Sequence, residues 1–513
     1  MGGQLELWQN IPFVCIILSM FSGTVSSVLG KKAARRLNTL VISGVAVMSA
    51  ILLSFLMQRG GSYTYMMGHF PAPWGNEIRA GVLEAGMALF FSIIMLLSMA
   101  GGRKKLAGEV EETKHNLYYI LVNLLLSSLL ALIYTNDLFT AYVFVEINTI
   151  SACGLIMIRQ NGRTIEAAVR YMIMSLLGSG LLLMGICMLY DLTGHLLMSN
   201  IRQAVAVIAA EGTYEVPLLV TIALMSVGLA IKSALFPFHT WLPDAYGYST
   251  VSSAAILSSL VSKGYIFLLI KIFYRVIGFE VICNSRIINI FYVFGLAAMI
   301  FGSLSAIKEN DIRRMISFSS IAQIGYIYMG IGLGTREGMI ASIFHIIAHA
   351  ATKSLLFIAG IGLTDVSSGK RPFTFLTGAG FRNRIAGLGF TVGSLSMVGI
   401  PIFSGFVSKL LFAAAALGSG NKMLPVLIVL AVSTILNAIY FMKTVIRLYT
   451  PLQLDENNQA VIEGERIQYS FITVVKEKGY AVTICLFILL NIVLGMSSQP
   501  IVEWIEAGLA NFM

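Results

Sequence analysis

Residues 228–245 read GLAIKSALFPFHTWLPDA and place Lys232 and Pro237 inside a stretch that otherwise has the character of a membrane span. A charge at the centre of a spanning helix costs at least ~2.5–3.5 kcal/mol, and a proline in a helix interior removes a backbone hydrogen bond. Both are tolerated where the helix faces protein or a water-lined cavity rather than lipid. His239 and Asp244 follow in the same stretch. The pattern predicts an interrupted spanning helix that carries a buried cation.

The composition of the whole chain indicates a polytopic membrane protein. Hydrophobic residues make up 57% of the 513 residues and charged residues only 12%, whereas soluble domains carry about 25% charged residues. The net charge of +10 is typical of basic cytoplasmic loops and does not indicate nucleic-acid binding. The five cysteines are scattered without a CxxC pair, so no metal or disulfide set is expected. No cleavable signal peptide is expected either, because the first apolar segment lacks a basic leader.

Long apolar segments predict an all-α fold with about fourteen transmembrane helices. The predicted spans are 10–30, 37–58, 80–100, 117–134, 138–158, 166–190, 216–237, 250–274, 287–306, 314–333, 338–363, 386–416, 423–446 and 480–498. With this assignment, most lysines and arginines outside the spans fall in loops on one side. The positive-inside rule then places both termini outside.

Some basic residues fall within the predicted spans or at their edges. Lys271 and Lys443 lie near span ends, and Arg170 lies one turn into span 6, so we expect these three to snorkel to the interface. Four lysines lie deeper and are harder to explain in this way: Lys232, Lys263, Lys353 and Lys409. Deep charges of this kind normally face a protein interior or water and mark an ion path.

Two carboxylates also lie within spans. Span 5 contains DLFTAYVFVEINTISACGL, with Glu146 near its middle. One interpretation is a buried ion pair that fixes helix packing, and the other is a carboxylate that pairs with a lysine on an ion path. Glu84 lies a few residues inside the outer edge of span 3, and both an interfacial and a path position are open for it.

Span 11 carries a row of titratable side chains in SIFHIIAHAATKSLLF. His345, His349 and Lys353 follow at i, i+4 and i+8 and therefore share one helix face. A zinc site would need a further ligand, and a lysine continues the row instead. The pattern favours a proton or water path, because histidine titrates near physiological pH. Packed core histidines are the alternative.

A second interrupted helix occurs in span 12, which reads SLSMVGIPIFSGFVSKLLF. Gly399 and Pro401 interrupt it, and Lys409 follows. Two interrupted helices five spans apart, each with a lysine, predict an inverted repeat of five helices, an arrangement typical of transporters. The predicted segments are 1–115 with three helices, 116–275 and 286–450 as the two repeats, and 451–513 with an inside loop and the last span.

The motifs resemble those of the proton-conducting, antiporter-like membrane subunits of respiratory complex I, Mrp-type Na⁺/H⁺ antiporters and membrane-bound hydrogenases. The resemblance covers nearly the whole chain. It is carried in order by NDLFTAYVFVEI, KSALFPFHTWLPDA, ISFSSIAQIGYI, FHIIAHAATKSLLF and GIPIFSGFVSKLL. The sequence around Glu146 and the loop YTYMMGHFPAPWG most resemble those of the D-type Mrp subunit and its hydrogenase counterpart. Two departures are the run YGYSTVSSA, without the prolines frequent in the family, and Glu84 in place of an aspartate.

This resemblance implies roles for individual residues. Glu146, Lys232, Lys263, His349 and Lys409 match the family's residues on spans 5, 7, 8, 11 and 12. The implied path has one half-channel near Glu146 and Lys232, a central hydrated axis through Lys263 and His349, and a second half-channel at Lys409. No cofactor is expected in this chain. The implied partners are other antiporter-like and small membrane subunits, with iron–sulfur, hydrogenase or dehydrogenase subunits in a redox-driven complex.

Three functions remain open at this point. The first is a proton-translocating subunit, with or without Na⁺ antiport, in the cytoplasmic membrane of a prokaryote. The second is a stand-alone secondary transporter of a small solute, which an inverted repeat permits. The third is a scaffold in which the buried ions only fix the helices together.

Overall fold

The computed structural model describes residues 7–67, 70, 75–453, 459–462, 465–468 and 478–512. The first part forms α1 (Ile11–Val28), α2 (Lys31–Arg59), β1 (Ser62–Met66), β2 (Glu77–Gly81), α3 (Val82–Glu109), α4 (His115–Tyr134), α5 (Leu138–Met157), α6 (Gly162–Thr193) and α7 (Met198–Glu211). The middle forms α8 (Glu215–Lys232), α9 (Leu242–Tyr248), α10 (Val251–Ile256), α11 (Ser262–Lys271), α12 (Phe279–Asn284), α13 (Ile287–Lys308), α14 (Ile312–Gly332) and α15 (Arg336–Asp365). The last part forms α16 (Ala379–Arg382), α17 (Arg384–Val398), α18 (Ser404–Leu417), α19 (Met423–Leu448), β3 (Gln459–Ile462), β4 (Glu465–Gln468), α20 (Lys478–Met496) and α21 (Ser498–Ala510).

The predicted all-α membrane fold is confirmed. Within the described ranges, 12 helical segments are long and apolar enough to cross a membrane. The other two expected spans fall on α14 and on the pair α17 and α18. Helix α14 begins with two arginines, and α17 and α18 are each shorter than the roughly 20 residues that a full span needs. The count of fourteen transmembrane helices and the repeat of five helices therefore remain predictions.

Two antiparallel strand pairs lie in the segments between helices. Strands β1 and β2 pair Ser62 with Gly81, and β3 and β4 pair Gln459 with Gln468. The loop that carries the D-type resemblance lies partly outside the described residues, since positions 68, 69 and 71–74 are not among them. The pairs do not contribute to the candidate site described below.

Span 8 and span 11 form the centre of the molecule. Every residue from 251 to 277 is buried, and so are residues 338–364 of α15. Span 8 is not a uniform α-helix, because π-helical turns at Leu257–Val261 and Ile272–Ile277 flank α11. Such turns widen the helix locally and often occur at functional sites. Charged side chains on these two spans are therefore surrounded by protein and not by lipid.

The two interrupted helices differ in where the lysine stands. Helix α8 ends at Lys232, five residues before Pro237. The helix therefore ends before the proline itself would interrupt it. Helix α17 ends at Val398, Gly399 takes a left-handed backbone with φ +91°, and α18 begins only at Ser404. Lys232 thus precedes its interruption, whereas Lys409 follows the second one.

Two helices of more than ten residues lie outside all predicted spans and were not expected from the sequence. Helix α7 lies in the segment assigned to a loop between spans 6 and 7. It buries Met198, Ile201, Val205 and Ile208 at helical spacing, and it packs against the π-helical end of span 8. Helix α21 follows the last predicted span and packs against α3. Both helices are amphipathic and shorter than a membrane span. Hydropathy alone does not predict them, because neither contains a long apolar run.

Close packing of glycines fixes α8 against α6. A Cβ atom on Gly178 would lie 2.7 Å from the carbonyl oxygen of Gly228, and one on Gly228 would lie 2.6 Å from that of Gly178. Small residues of this kind let helix backbones approach within a membrane. The contact lies beside Lys232, whose Cγ would be 3.1 Å from a Cβ on Gly178, so it holds the lysine-bearing end of α8 in place.

Candidate functional site

The first cluster lies where α5, α6 and α8 meet. The Lys232 ammonium is buried and donates a hydrogen bond to Thr149 Oγ1 at 2.8 Å, while Glu146 Oε1 lies 3.7 Å away. Glu146 accepts a hydrogen bond from the Ser179 hydroxyl on α6, and its side chain is 25% exposed. The lysine is therefore ion-paired with Glu146 but hydrogen-bonded to Thr149, one helical turn further along α5.

A hydrogen-bonded chain leads from this cluster to span 8. The Thr149 hydroxyl lies 3.3 Å from the Tyr265 hydroxyl, which donates to Asn148 Oδ1 at 3.0 Å. Asn148 in turn donates to Ser128 Oγ at 3.0 Å on α4. Tyr265 is two residues from Lys263 on α11. These neutral groups connect the Glu146–Lys232 cluster to the central span, and uncharged residues of this kind gave no signal in the sequence.

Lys263 and Lys353 lie at the centre, on span 8 and α15. Lys263 donates to the Ser258 carbonyl in the preceding π-helical turn and to Ser262 Oγ at 3.2 Å. Lys353 donates to the Ile316 carbonyl at 2.9 Å and to the Ser319 hydroxyl of α14. Within the described part of the chain, neither amine has a carboxylate within 4.0 Å. Both are bonded only to neutral oxygens, in an interior without lipid contact.

The two histidines continue the row along α15. Their rings stack with centroids 5.8 Å apart, and His345 Nδ1 lies 2.5 Å from Ser408 Oγ on α18. Neither ring nitrogen of His349 has a hydrogen-bond partner among the residues that the structure describes. A narrow cavity between α14, α15, α17 and α18 has room for about one water molecule, and its lining includes Gln323, both histidines and Lys409. In the same described ranges, no third His, Cys, Asp or Glu joins the two histidines as a metal ligand.

Lys409 bridges the interruption of span 12. Its ammonium donates to the carbonyl of Val398, the last residue of α17, at 2.7 Å and to Thr434 Oγ1 of α19 at 3.0 Å. Unpaired carbonyls at a helix C-terminus favour a cation there. A Cβ on Gly399 would lie 2.9 Å from Lys409 Cδ, so glycine is needed for space as well as for its positive φ. The helix end at Val398 and the small residue Gly399 thus make room for this lysine and bind its ammonium group.

Asp244 and His239 lie after the first interruption, at the end of the molecule that carries most of the basic loops. Asp244 accepts hydrogen bonds from Arg170 of α6 at 2.9 Å and from Arg314 of α14. Arg314 also pairs with Glu309 at 2.9 Å. Asp244 therefore connects the two halves of the chain at this end. The His239 ring stacks on Phe236 with centroids 5.3 Å apart.

A third charged cluster, which includes Lys271 and Glu84, corrects the expectation for Lys271. Lys271 does not snorkel: it is fully buried and donates to the carbonyls of Leu132, Ile133 and Thr135 at 2.6–3.1 Å, at the C-terminal end of α4. Glu84, for which an interfacial and a path position were both open, is buried and paired with Arg275 at 2.5 Å.

Arg275 follows directly after the predicted end of span 8 at residue 274, but it lies in the π-helical end of that span. It is buried there, with its guanidinium 4.0 Å from the centre of the Phe512 ring. Lys443 and Arg170, in contrast, are exposed at the helix surface. The sequence could not place the Glu84–Arg275 pair, since its partners are far apart in the chain.

Comparisons with known proteins give the chain its family. Residues 135–436, which include Glu146, Lys232, Lys263, His349 and Lys409, match the family model described as NADH:quinone oxidoreductase/Mrp antiporter, TM. The NADH-quinone oxidoreductase subunit N of Desulforudis audaxviator is 29% identical over 446 residues, 86% of each chain. The putative antiporter subunit mnhD2 of Staphylococcus aureus is 27% identical over 424 residues, 82% of this chain and 81% of its own.

The fold agrees with these sequence matches. The chain superimposes on one from the Mrp complex of Dietzia sp. DQ12-45-1b with a TM-score of 0.86 and 23% identity, covering 99% of this chain and 98% of the other. The family match spans more than half of the chain and contains both interrupted helices. The chain therefore belongs to the family of NADH:quinone oxidoreductase and Mrp antiporter transmembrane subunits.

Proposed function

We propose that this chain translocates protons across the membrane as one subunit of a multisubunit complex. The observation that carries the proposal is a row of titratable side chains across the molecule: Glu146, Lys232, Lys263, His349 and Lys409. Lys232, Lys263 and His349 are buried, and the three lysines donate hydrogen bonds only to neutral oxygens, whereas Glu146 is 25% exposed. His345 and Lys353 belong to the same row. A buried amine without a fixed counter-ion is expensive in a membrane protein, and such groups commonly mark proton paths.

The proposed control step is the exchange of partners by Lys232. Thr149 lies 0.9 Å closer to the amine than Glu146 does, as the difference between 3.7 and 2.8 Å, so a small movement changes which group holds it. Two opposite charges about 4 Å apart attract by about 4 kcal/mol at an effective dielectric constant of about 20. Doubling the distance removes about half of that, which is close to the 2.3 kcal/mol that 100 mV supplies per charge. Modest movement of Glu146 is therefore enough to gate proton transfer at Lys232.

The proposed path then crosses the molecule from α5 to α18. Thr149 and Tyr265 relay towards Lys263, and Lys353 and the two histidines continue along α15 towards Lys409. Lys409 donates a hydrogen bond to the last carbonyl of α17. Like Lys232 with Thr149, it is therefore held by a neutral oxygen. We further propose that the two interrupted helices belong to the inverted five-helix repeats 116–275 and 286–450, between the segments 1–115 and 451–513.

The relatives favour work within a complex over transport by this chain alone. The two relatives described above are named as subunits, one of a quinone oxidoreductase and one of an antiporter. We propose that the chain holds no cofactor, so any electron transfer belongs to partner subunits. We also propose a prokaryotic cytoplasmic membrane as its site, with both termini outside, since the basic loops then face the cytoplasm.

Proton transport by variants tests the proposal. The complex carrying Lys232→Ala or Glu146→Ala is purified, reconstituted in vesicles and assayed with a pH-sensitive dye at equal amounts of assembled subunit. We expect both to lose transport while assembly is kept. Lys443→Ala is the matched control, because this lysine is exposed on α19 and should transport as wild type does. Wild-type transport by assembled Lys232→Ala and Glu146→Ala would leave only the scaffold interpretation.

The type of complex is determined by what co-purifies. The tagged chain is isolated in mild detergent, and its companions are identified by mass spectrometry. Small membrane subunits and further antiporter-like chains alone would indicate an Mrp-type antiporter, for which vesicles are assayed with Na⁺ gradients. Iron–sulfur or quinone-reducing subunits would indicate a redox-driven pump. A chain that purifies alone and drives a solute gradient would contradict the proposal.

A further inference from the structure

A groove between the ends of α2, α3 and α4 combines three arginines with an apolar wall. Its volume is about 570 Å³, within the roughly 300–1,000 Å³ of typical small-ligand sites. Arg35 and Arg36 stand in the first turns of α2, and Arg103 stands near the end of α3. Leu40 and Leu96 line the groove further from this end, and Leu40 is 70% exposed. The groove is therefore cationic at one end and apolar along its length.

The three arginines are left without acidic partners although acids are near. At the same end of the molecule, Glu112 pairs with Lys31 at 2.7 Å, Glu111 with Lys114 at 2.6 Å, and Asp365 with Lys105. Within the described ranges, no ion pair or side-chain hydrogen bond is made by the guanidinium groups that line the groove. Three arginines that line one groove without an acidic partner favour an anion there, and the planar guanidinium fork matches phosphate oxygens in particular.

The depth of the groove matches the layers of a bilayer. From Arg35 to Ile42 along α2, and from Leu106 to Leu96 along α3, it extends about 10–15 Å at 1.5 Å per residue. The arginines mark the end where the basic loops gather, and the other end reaches well into a hydrocarbon core of about 30 Å. A phosphate at the arginines therefore places an attached acyl chain along the apolar wall.

We infer that this groove binds an anionic phospholipid, with its phosphate on Arg35, Arg36 and Arg103 and an acyl chain along Leu40 and Leu96. Basic pockets between transmembrane helices recognise lipid head groups through this combination of charge and apolar contact. The inference does not depend on the proposed proton path, because the groove lies on the outer surface of α2 and α3. Loss of lipid binding and loss of transport are therefore separable.

Native mass spectrometry of the purified complex tests this inference with two probes, phosphatidylglycerol and phosphatidylcholine of equal chain length. Each arginine near the surface contributes about fivefold in affinity, so Arg35→Gln/Arg36→Gln/Arg103→Gln should bind phosphatidylglycerol on the order of a hundredfold more weakly. The matched control Lys308→Gln/Arg384→Gln/Arg447→Gln removes three charges elsewhere and should bind as wild type does. Wild type should prefer phosphatidylglycerol by a similar factor.

A second variant covers the case in which the triple variant does not assemble. Thr39 is exposed and lines the groove one turn from Arg35, so Thr39→Glu supplies a counter-ion without removing any packing. It adds one negative charge and should therefore weaken phosphatidylglycerol binding about fivefold. Equal binding of both lipids, equal binding by the triple variant and its control, displacement of the lipid by millimolar inorganic phosphate, or crosslinking of position 40 to a partner subunit would overturn the inference.

Discussion

Replacing Thr149 by valine tests whether the hydroxyl on α5 competes with Glu146 for Lys232. Valine has nearly the shape of threonine but cannot accept the 2.8 Å hydrogen bond from the ammonium. Tyr265 keeps its hydrogen bond to Asn148 at 3.0 Å, so its buried hydroxyl still has a hydrogen-bond partner. The substitution therefore removes one hydrogen-bond partner of Lys232 and leaves the ion pair with Glu146 in place.

The magnitude follows from the kind of bond that is lost. A hydrogen bond to a charged group contributes about 1.5–3 kcal/mol. Without it, the position of Lys232 away from Glu146 is less favourable by that amount, and the step that separates the two groups slows accordingly. Since about 1.4 kcal/mol corresponds to a factor of ten, proton transport should fall by about one to two orders of magnitude.

The assay is proton uptake by reconstituted vesicles at matched amounts of assembled complex. Thr149→Ser is the control, because it keeps the hydroxyl and should transport at close to the wild-type rate. Wild-type transport by Thr149→Val would refute the exchange of partners at Lys232. So would an equal loss in both variants, since serine and valine would then act through packing alone.

Two further substitutions test the packing around the buried charges. Gly178→Ala places a Cβ 2.7 Å from the Gly228 carbonyl and should destabilise the protein by about 1–3 kcal/mol in thermal unfolding, whereas Gly180→Ala meets nothing within 4 Å and should not. Arg275→Met leaves the buried Glu84 carboxylate without its partner and should cost about 3–5 kcal/mol, while adding Glu84→Gln should restore much of the loss. A double variant as unstable as Arg275→Met alone would argue against the ion pair as the cause.

Hydropathy predicted most of the fold because each span must be apolar over about 20 residues. The same contrast made Glu146, Lys232, Lys263 and Lys409 visible, since a charge in an apolar run stands out. The interruption at Gly399 was visible for a related reason, as glycine and proline weaken a helix wherever they occur.

Other features depend on contacts between distant segments. Its position near a span end predicted that Lys271 would lie at the interface. It is buried instead, because the carbonyls at the end of α4 accept hydrogen bonds from its ammonium group. Arg275 lies just beyond the predicted span 8, and it is buried there because Glu84 and Phe512 from distant segments pack beside it. Thr149 and Tyr265 are uncharged, so only their distances in space connect them to Lys232. Propensity and polarity carry no information about such long-range pairings.

Lys263 and Lys271 offer the most direct test of the proton path. Both are fully buried lysines two turns apart on span 8, but Lys263 lies in the central row and Lys271 closes the end of α4. Proton transport is measured per assembled complex for Lys263→Met and Lys271→Met. The account predicts that Lys263→Met abolishes transport and that Lys271→Met lowers stability but leaves transport per complex near wild type. Wild-type transport by Lys263→Met would contradict a path through the central row.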